Sequence, residues 1–183
     1  ASLFPATGFH AAKTLHSMGS GIGLASGFGK LGAFGMDQPV VAVCGDSTFY
    51  HAGVPALINA VHTRTPMVLV IMDNNITAMT GGQPTPASDH LADGSPAVPI
   101  DMERLVRGTG VESLEVVDPY DHESMRGALE KARRHSFDEA GGVSVVIARR
   151  PCVRMRNVTM PSTRFQVDEN CDLCMSCIRD LEC

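Results

Sequence analysis

The chain has 183 residues, 44% of them hydrophobic, with 15 Lys and Arg against 20 Asp and Glu for a net charge of -5. That is enough for one ordinary globular domain with a sizeable core, while the mild negative charge, the absence of Trp and only two Tyr argue against nucleic acid, an anionic membrane or base stacking. The uncharged stretch from Thr14 to Gly29 is too short and too rich in Gly, Ser and Ala for a bilayer span, and it lacks the basic start of a signal peptide, so cytoplasmic residence is the expectation.

Residues 1–16 read as an irregular entry. A Gly- and Ala-rich helix is expected from Ser17 to about Leu31, with Gly19, Gly23 and Gly27 four apart on one face. Glycine costs helix stability, so such a face signals close approach of another backbone or of a ligand. Val40 to Cys44 and Met67 to Met72 are short apolar runs, the pattern of strands buried on both faces. Between them a helix is expected from Val54 to His62, with Pro55 in its first turn and Val54, Leu57, Ile58 and Val61 inward.

A long loop rich in Thr, Gly and Pro follows, from about Thr77 to Pro99, and loops of that length inside compact domains are usually functional. Asp101 to Gly108 reads as a helix with Met102, Leu105 and Val106 inward, and Leu114 to Val117 as a strand. Asp118-Pro119-Tyr120-Asp121 opens a helix with the stripe Met125, Ala128, Leu129 and Ala132, and Ser144 to Ala148 is the last strand. Alternating strands and helices predict an α/β, doubly wound parallel sheet. Arg149 to about Asn170 reads as a polar linker before a cysteine-rich segment of different composition. The chain starts in a loop-like stretch and stops inside that cysteine motif, as a fragment of something longer would.

Chemistry concentrates where two strands end. Gly45-Asp46-Ser47 follows VVAVC, and Asp73-Asn74-Asn75 follows MVLVIM. Ligands of open α/β sheets bind at carboxyl strand ends, and a carboxylate with an amide oxygen suits Mg²⁺ holding a diphosphate. Gly45 would turn the chain sharply and admit ligand oxygens, while Ser47 and Thr48 would donate to phosphate near a helix amino end. Taken singly, Asp46 and Asn74 read better as cap or turn residues; together, on successive strands, they favour a cation site. The run Gly27-Phe28-Gly29-Lys30-Leu31-Gly32 matches a dinucleotide fingerprint. It ends a helix and precedes a strand, the reverse of what a nicotinamide site requires.

Gly-Asp followed after just under thirty residues by Asn-Asn resembles the thiamine diphosphate (TPP) signature. By that resemblance Asp46 and Asn74 ligate Mg²⁺ through side chains and Ile76 through its carbonyl oxygen. Ser17-Met18-Gly19-Ser20-Gly21 resembles the family's stretch beside the aminopyrimidine ring, placing Met18 and Gly19 there, and Thr77 and Met79 fall in the cofactor loop. GDSTFYHAGVPALINAV followed by MDNNITAMTGGQPTP is similar to the carboxyl-terminal half of the indolepyruvate ferredoxin oxidoreductase large subunits, and Thr80-Gly81-Gly82-Gln83 to the wider 2-oxoacid:ferredoxin oxidoreductase superfamily.

Cys171, Cys174, Cys177 and Cys183 form C-x2-C-x2-C-x5-C. Three thiolates at steps of three can wrap an iron–sulfur cluster, and the longer last spacing resembles the first ferredoxin-like motif of the indolepyruvate enzymes. Cys183 could instead serve a second cluster, and zinc is the alternative metal. Disulfides have no secretory context, and Cys44 and Cys152 read as core residues. His51 could face a substrate or be an ordinary helix-entry residue. His62, His122 and His135 read as surface residues, and Arg149-Arg150 as a solvated edge.

The resemblance implies a layout of 1–150 for the TPP- and Mg²⁺-binding domain, 151–170 for a linker and 171–183 for the start of a ferredoxin-like [4Fe-4S] segment. It implies oxidative decarboxylation of a 2-oxo acid, above all an aryl pyruvate, with coenzyme A as cosubstrate and ferredoxin as acceptor. It also implies a separate pyrimidine-binding domain supplying an activating glutamate, a second subunit and an oligomer, with no nucleic-acid or membrane partner. A non-oxidative TPP-dependent decarboxylase or acetolactate-synthase relative and a non-catalytic α/β module with a zinc-binding tail are the rival readings.

Overall fold

The structure, a computed structural model, describes residues 14, 16–138, 141–153, 155, 169–172 and 174. The chain divides into two compact units, Ser17–Val158 and a second made of Ala1–His16 with Thr159–Cys183. In the second unit Cys171 and Cys174 are exposed, and the Cys174 amide donates to the Asp172 carboxylate at 3.0 Å. The irregular entry before Thr14, most of the expected linker, Cys177 and Cys183 lie outside the described residues.

The first unit is a parallel α/β sheet. Helix α1 (Ser20–Gly29) runs into a 3-10 turn (Lys30–Phe34), then strand β1 (Val41–Gly45). Helices α2 (Asp46–Thr48) and α3 (Val54–His62) are joined by a π-helical turn (Phe49–Gly53) and lead to β2 (Met67–Asp73). After the long loop come α4 (Met102–Gly108), β3 (Ser113–Val117), α5 (His122–Arg133), a second π-helical turn (Arg134–Asp138) and β4 (Val143–Arg149). The four strands pair in the order β1-β2-β4-β3, every pair parallel, so β4 inserts between strands that precede it in the chain.

Alternation along the strands sorts the core into two layers. Ala42, Cys44, Leu69, Ile71, Val145 and Ile147 face α1, α3 and α4, packing with Ile22, Phe49, Leu57, Met102 and Val106. Val68, Val70, Val146 and Ala148 face Ala128 and Ala132 of α5. This second layer stops short of β1, where Val41 and Val43 remain exposed. The expectation that β1 is buried on both faces is therefore corrected: it is an edge strand with one covered face.

Three details of the helices also differ from expectation. In α1 the inward face is Ile22, Ala25, Ser26 and Gly29, whereas Gly23 and Gly27 are exposed and a Cβ on either would meet nothing within 4 Å. The glycines that allow close approach are Gly29, where a Cβ would lie 2.5 Å from the Pro66 carbonyl oxygen, and Gly19. The helix after β1 starts at Asp46 rather than Val54. In α3 Leu57 is buried and Val54 and Val61 pack against the core as expected, but Ile58 is half-exposed and Ala60 is buried instead; Pro55, which has no amide hydrogen, follows the π-helical turn.

His135 is half-buried rather than on the surface, its Nδ1 lying 3.1 Å from the Ser144 hydroxyl. His62 and His122 are exposed, as expected.

Candidate cofactor site at the carboxyl end of the sheet

β1 and β2 are adjacent and parallel, so their carboxyl ends deliver the two expected motifs to one place. Asp46 is 3% exposed, and its two oxygens are used differently. Oδ1 accepts from the Ser47 amide at 2.7 Å, and Oδ2 accepts from the Asn75 amide at 2.8 Å. That second bond ties the turn after β1 to the turn after β2. Each carboxylate oxygen keeps a further lone pair for a ligand.

Asn74 Oδ1 accepts from the Ile76 amide at 3.2 Å, an Asx turn that brings the Ile76 backbone back beside the Asn74 side chain. Asn75 takes φ +65°, a left-handed conformation that Asn tolerates better than most residues. The second Asn of the motif is thus there for backbone shape, a role the sequence reading did not assign.

Gly45 has φ -80° and ψ 161°, extended backbone open to any residue, so it is not required for a sharp turn. A Cβ there would meet no protein atom within 4 Å, which leaves open space where a diphosphate would approach. Ser47 and Thr48 form the first helical turn, half-buried. The Ser47 amide is already held by Asp46, so it is the hydroxyls and the neighbouring amides that could serve an anion.

Gly19, at φ +87°, caps α1, and a Cβ there would sit 2.6 Å from the Ala52 Cβ. This contact brings Met18 and Gly19 to the π-helical turn that follows Asp46. The Met18 side chain is 82% exposed, and that of Met79 is 89% exposed. His51 is exposed in the same π-helical turn.

The loop after Ile76 is closed by the Thr77 amide donating to the Gln83 carbonyl at 2.9 Å. Within it the Thr80 hydroxyl donates to Gln83 Oε1 at 2.6 Å, and Gln83 Nε2 donates back to the Thr80 carbonyl at 2.8 Å. Gly81 and Gly82, both at positive φ, make that tight closure possible.

Asp73, Arg149 and Glu103 were not foreseen as part of the site. Asp73 is buried and accepts from Arg149 Nε at 2.7 Å, while another nitrogen of the same guanidinium lies 2.7 Å from Glu103 Oε1. Arg149 is therefore an ion-pair hub as well as an exposed edge residue. Arg150 does lie at the rim, 4.0 Å from the Tyr120 ring centre and 2.5 Å from Asp118. The chain beyond β4 also grips the Asn74 turn: the Arg150 amide donates to the Asp73 carbonyl and the Cys152 amide to the Asn74 carbonyl, both at 3.0 Å. The missed signal was a carboxylate and a guanidinium at the ends of two apolar runs.

Charge shapes the titration of this end. Burial lifts the Asp46 carboxyl above the ordinary carboxylate range; the Ser47 amide opposes the rise, the Asp73 charge adds to it, and the Asn75 and Asn74 amides oppose it. Burial, with Asp73 and Asp46 adding, pushes the Tyr50 phenol up to about 12, and its hydroxyl donates to the Ile100 carbonyl at 2.9 Å. Burial, with Asp46 adding, pushes the Cys44 thiol up to about 12, so it stays protonated and inert.

Among the described residues no group of three or more His, Cys, Asp or Glu side chains is arranged to hold a metal. The Asp46 carboxylate, the Asn74 amide oxygen and the main-chain carbonyls of the turn between Asn74 and Ile76 are instead oxygen donors of the kind Mg²⁺ takes when phosphates and water complete its shell. The residues present fit Mg²⁺–TPP.

Comparison with known proteins agrees with this geometry. The chain is 42% identical over 175 residues to the indolepyruvate oxidoreductase subunit IorA of Methanothermobacter thermautotrophicus, covering 96% of this chain and 27% of that protein. It is 40% identical over 170 residues to the Archaeoglobus fulgidus subunit of the same name, covering 91% of this chain and 26% of that one. It thus spans about a quarter of the length of these curated relatives.

Among solved structures, the 2-oxoglutarate:ferredoxin oxidoreductase from Magnetococcus marinus superposes with a TM-score of 0.56 at 23% identity, over 74% of this chain and 46% of that one. Benzoylformate decarboxylase from Polynucleobacter necessarius gives 0.51 at 20% identity, over 72% and 23%. These two likenesses establish the shared α/β fold. Residues 2–148 match the family described as thiamine pyrophosphate enzyme, C-terminal TPP binding domain, and the chain belongs to that family.

Proposed function

We propose that this chain is the TPP- and Mg²⁺-binding part of a 2-oxoacid:ferredoxin oxidoreductase acting on indolepyruvate or a related aryl pyruvate. The overall reaction takes a 2-oxo acid, coenzyme A and two oxidised ferredoxins to acyl-CoA, CO₂, a proton and two reduced ferredoxins. The observation that carries this reading is the Asn75-to-Asp46 hydrogen bond, which joins the two strand-end turns into one oxygen-lined site. Similarity to IorA subunits over 96% of the chain supports the substrate class.

In this reading Asp46 and Asn74 hold Mg²⁺ by side-chain oxygens and Ile76 by its carbonyl. Gly45 leaves room for the diphosphate, and Ser47 and Thr48 donate to it. Met18 and Gly19 lie beside the aminopyrimidine, and Thr77 and Met79 line the cofactor loop. His51 faces the substrate side. TPP, when bound, supplies the nucleophilic carbon and the electron sink that decarboxylation needs. The protein's part is to fix the diphosphate end while the exposed Met18 and Met79 exclude water from the ring.

Residues 1–150 form the cofactor domain, 151–170 a linker and 171–183 the start of a [4Fe-4S] segment, with Cys171, Cys174, Cys177 and Cys183 as thiolate ligands. A pyrimidine-binding domain, in the rest of the polypeptide or in a second subunit, completes a site between domains in a cytoplasmic oligomer.

The test is the complete enzyme, purified without oxygen and assayed for iron, acid-labile sulfide, zinc and Mg²⁺-dependent TPP binding. Its CoA-dependent dye reduction is then compared across 2-oxo acids. Iron with sulfide, TPP binding and a preference for aryl pyruvates are expected. Zinc without iron overturns the electron-transfer part, and failure to bind TPP overturns the whole reading. Turnover without coenzyme A or an electron acceptor would point to a non-oxidative decarboxylase.

A further inference from the structure

The β1–β2 register pairs Gly45 with Met72, and the β2–β4 register pairs Asp73 with Arg149. Asp46, Asp73 and Arg149 are therefore neighbours across the ends of three strands, spaced by about 4.8 Å per strand. By strand alternation Asp73 and Arg149 fall on the face on which Ile71 and Ile147 pack. The row reads anion, anion, cation, and its middle member is nearly buried.

Two buried carboxylates on adjoining strands are what a divalent cation alone would bridge. Here one oxygen of the second, Oδ2, is taken by Arg149 Nε at 2.7 Å, and Glu103 on α4 lies 2.7 Å from another nitrogen of the same guanidinium. Asp46 has no such ion pair among the described residues.

We propose that Arg149 is a positioning residue that cancels the charge of Asp73 and keeps its carboxylate off the cation. This rests on the Mg²⁺–TPP reading above. The reason is charge. With Asp46 as the sole anionic ligand, a bound Mg²⁺ keeps a positive surplus that grips the diphosphate. With Asp73 as a second ligand, the protein would neutralise the cation, hold it without cofactor, and grip the diphosphate weakly. Arg149 makes the site bind metal and cofactor together rather than metal alone. Its guanidinium is well suited because it stays charged at any working pH and is rigidly planar.

The experiment uses the complete enzyme and two equilibrium-dialysis measurements: Mn²⁺ binding without TPP, and TPP binding at saturating Mg²⁺. Arg149→Gln is expected to tighten Mn²⁺ binding several-fold and weaken TPP binding by about tenfold or more. Arg149→Lys, which keeps the charge, should recover most of the TPP affinity. In an Asp73→Asn background the strand-end carboxylate that Arg149 restrains is gone and only Glu103 still pairs with the guanidinium, so adding Arg149→Gln should change TPP affinity by less than about threefold.

A tenfold loss in that background too, or unchanged Mn²⁺ binding in the single variant, would make Arg149 merely structural and overturn the proposal. If Arg149→Gln alone does not fold, Asp73→Asn with and without it carries the test: equal TPP affinity supports the role and a tenfold gap overturns it. Asp46→Ala separates the two readings. Full TPP binding by that variant overturns the cofactor site itself, whereas its loss alongside a flat Arg149 cycle overturns only the role of Arg149.

Discussion

The two ends of the sheet bury polar atoms in different ways. At the amino end they are neutral hydroxyls that satisfy one another: the Ser136 hydroxyl donates to the Met67 carbonyl at 3.0 Å and lies 2.8 Å from the Ser144 hydroxyl, and Thr65 Oγ1 lies 3.0 Å from Thr63 Oγ1. At the carboxyl end they are charges, Asp46 and Asp73, with Arg149 answering only the second. A hydrogen-bonded hydroxyl costs little to bury, whereas an ionised carboxylate costs several kcal/mol even after relaxation. Packing alone explains the amino end. The carboxyl end fits the proposed Mg²⁺–TPP site, in which a cation and a diphosphate would answer the Asp46 charge.

That contrast breaks most clearly at Asp46. Asp46→Asn removes the anionic ligand while keeping one oxygen to accept an amide. Mg²⁺-dependent TPP affinity should fall by about a thousandfold or more, since removing a ligand exceeds the 10–100-fold cost of removing its support. Thermal unfolding without cofactor should move by only a few degrees, because the lost bonds are offset by relief of a buried charge. TPP titration and calorimetry on the same preparation check both halves; a parallel loss of stability would mean Asp46 is a packing residue like those at the other end.

Phe49→Ala tests the opposite coupling. Phe49 is fully buried one turn after Asp46 and packs near Ile22 and Gly53. The change should cost about 3–5 kcal/mol of stability in denaturant melts. TPP affinity should then fall as well, because the helical turn carrying Asp46 runs directly into Phe49 and loses its root in the core.

Much of this was legible in the sequence because apolar runs and their punctuation are local. VVAVC and MVLVIM gave their strands to within a residue or two, and the motif residues fell at the strand ends as required. What was not legible depends on which elements become neighbours. β4 lies between β2 and β3, so Arg149 meets Asp73 across 76 residues of chain, a pairing no local pattern encodes. α3 turns Val54, Leu57 and Val61 inward as expected, but the face centres on Leu57 and Ala60 and leaves Ile58 half-exposed. The glycines of α1 were read as a contact stripe, although the contact is made at its ends, by Gly19 against Ala52 and Gly29 against Pro66.

At the amino end, Ser136→Ala should cost about 1–2 kcal/mol, as expected when a buried hydroxyl with two hydrogen-bond partners is lost. It should leave TPP affinity and the Mn²⁺ measurement unchanged; a tenfold change in either would show that the two ends are not independent.

The smallest effect is expected at Asp121, the N-cap of α5. Its carboxylate accepts from the Ser124 hydroxyl at 2.6 Å and from the Ser124 amide at 3.0 Å. These bonds, the hydroxyl's first, hold its carboxyl below the ordinary carboxylate range. A carboxyl held low stabilises the fold at pH values above its unfolded value, and that contribution fades as pH falls through the folded one. Asp121→Asn keeps an acceptor for the cap but cannot titrate, so its stability should converge on that of the parent below the carboxylate range and lie slightly beneath it at neutral pH. Urea melts across that range decide it. A gap that stays constant with pH would mean the cap works by shape alone, leaving the charge of this end of the sheet confined to the row from Asp46 to Arg149.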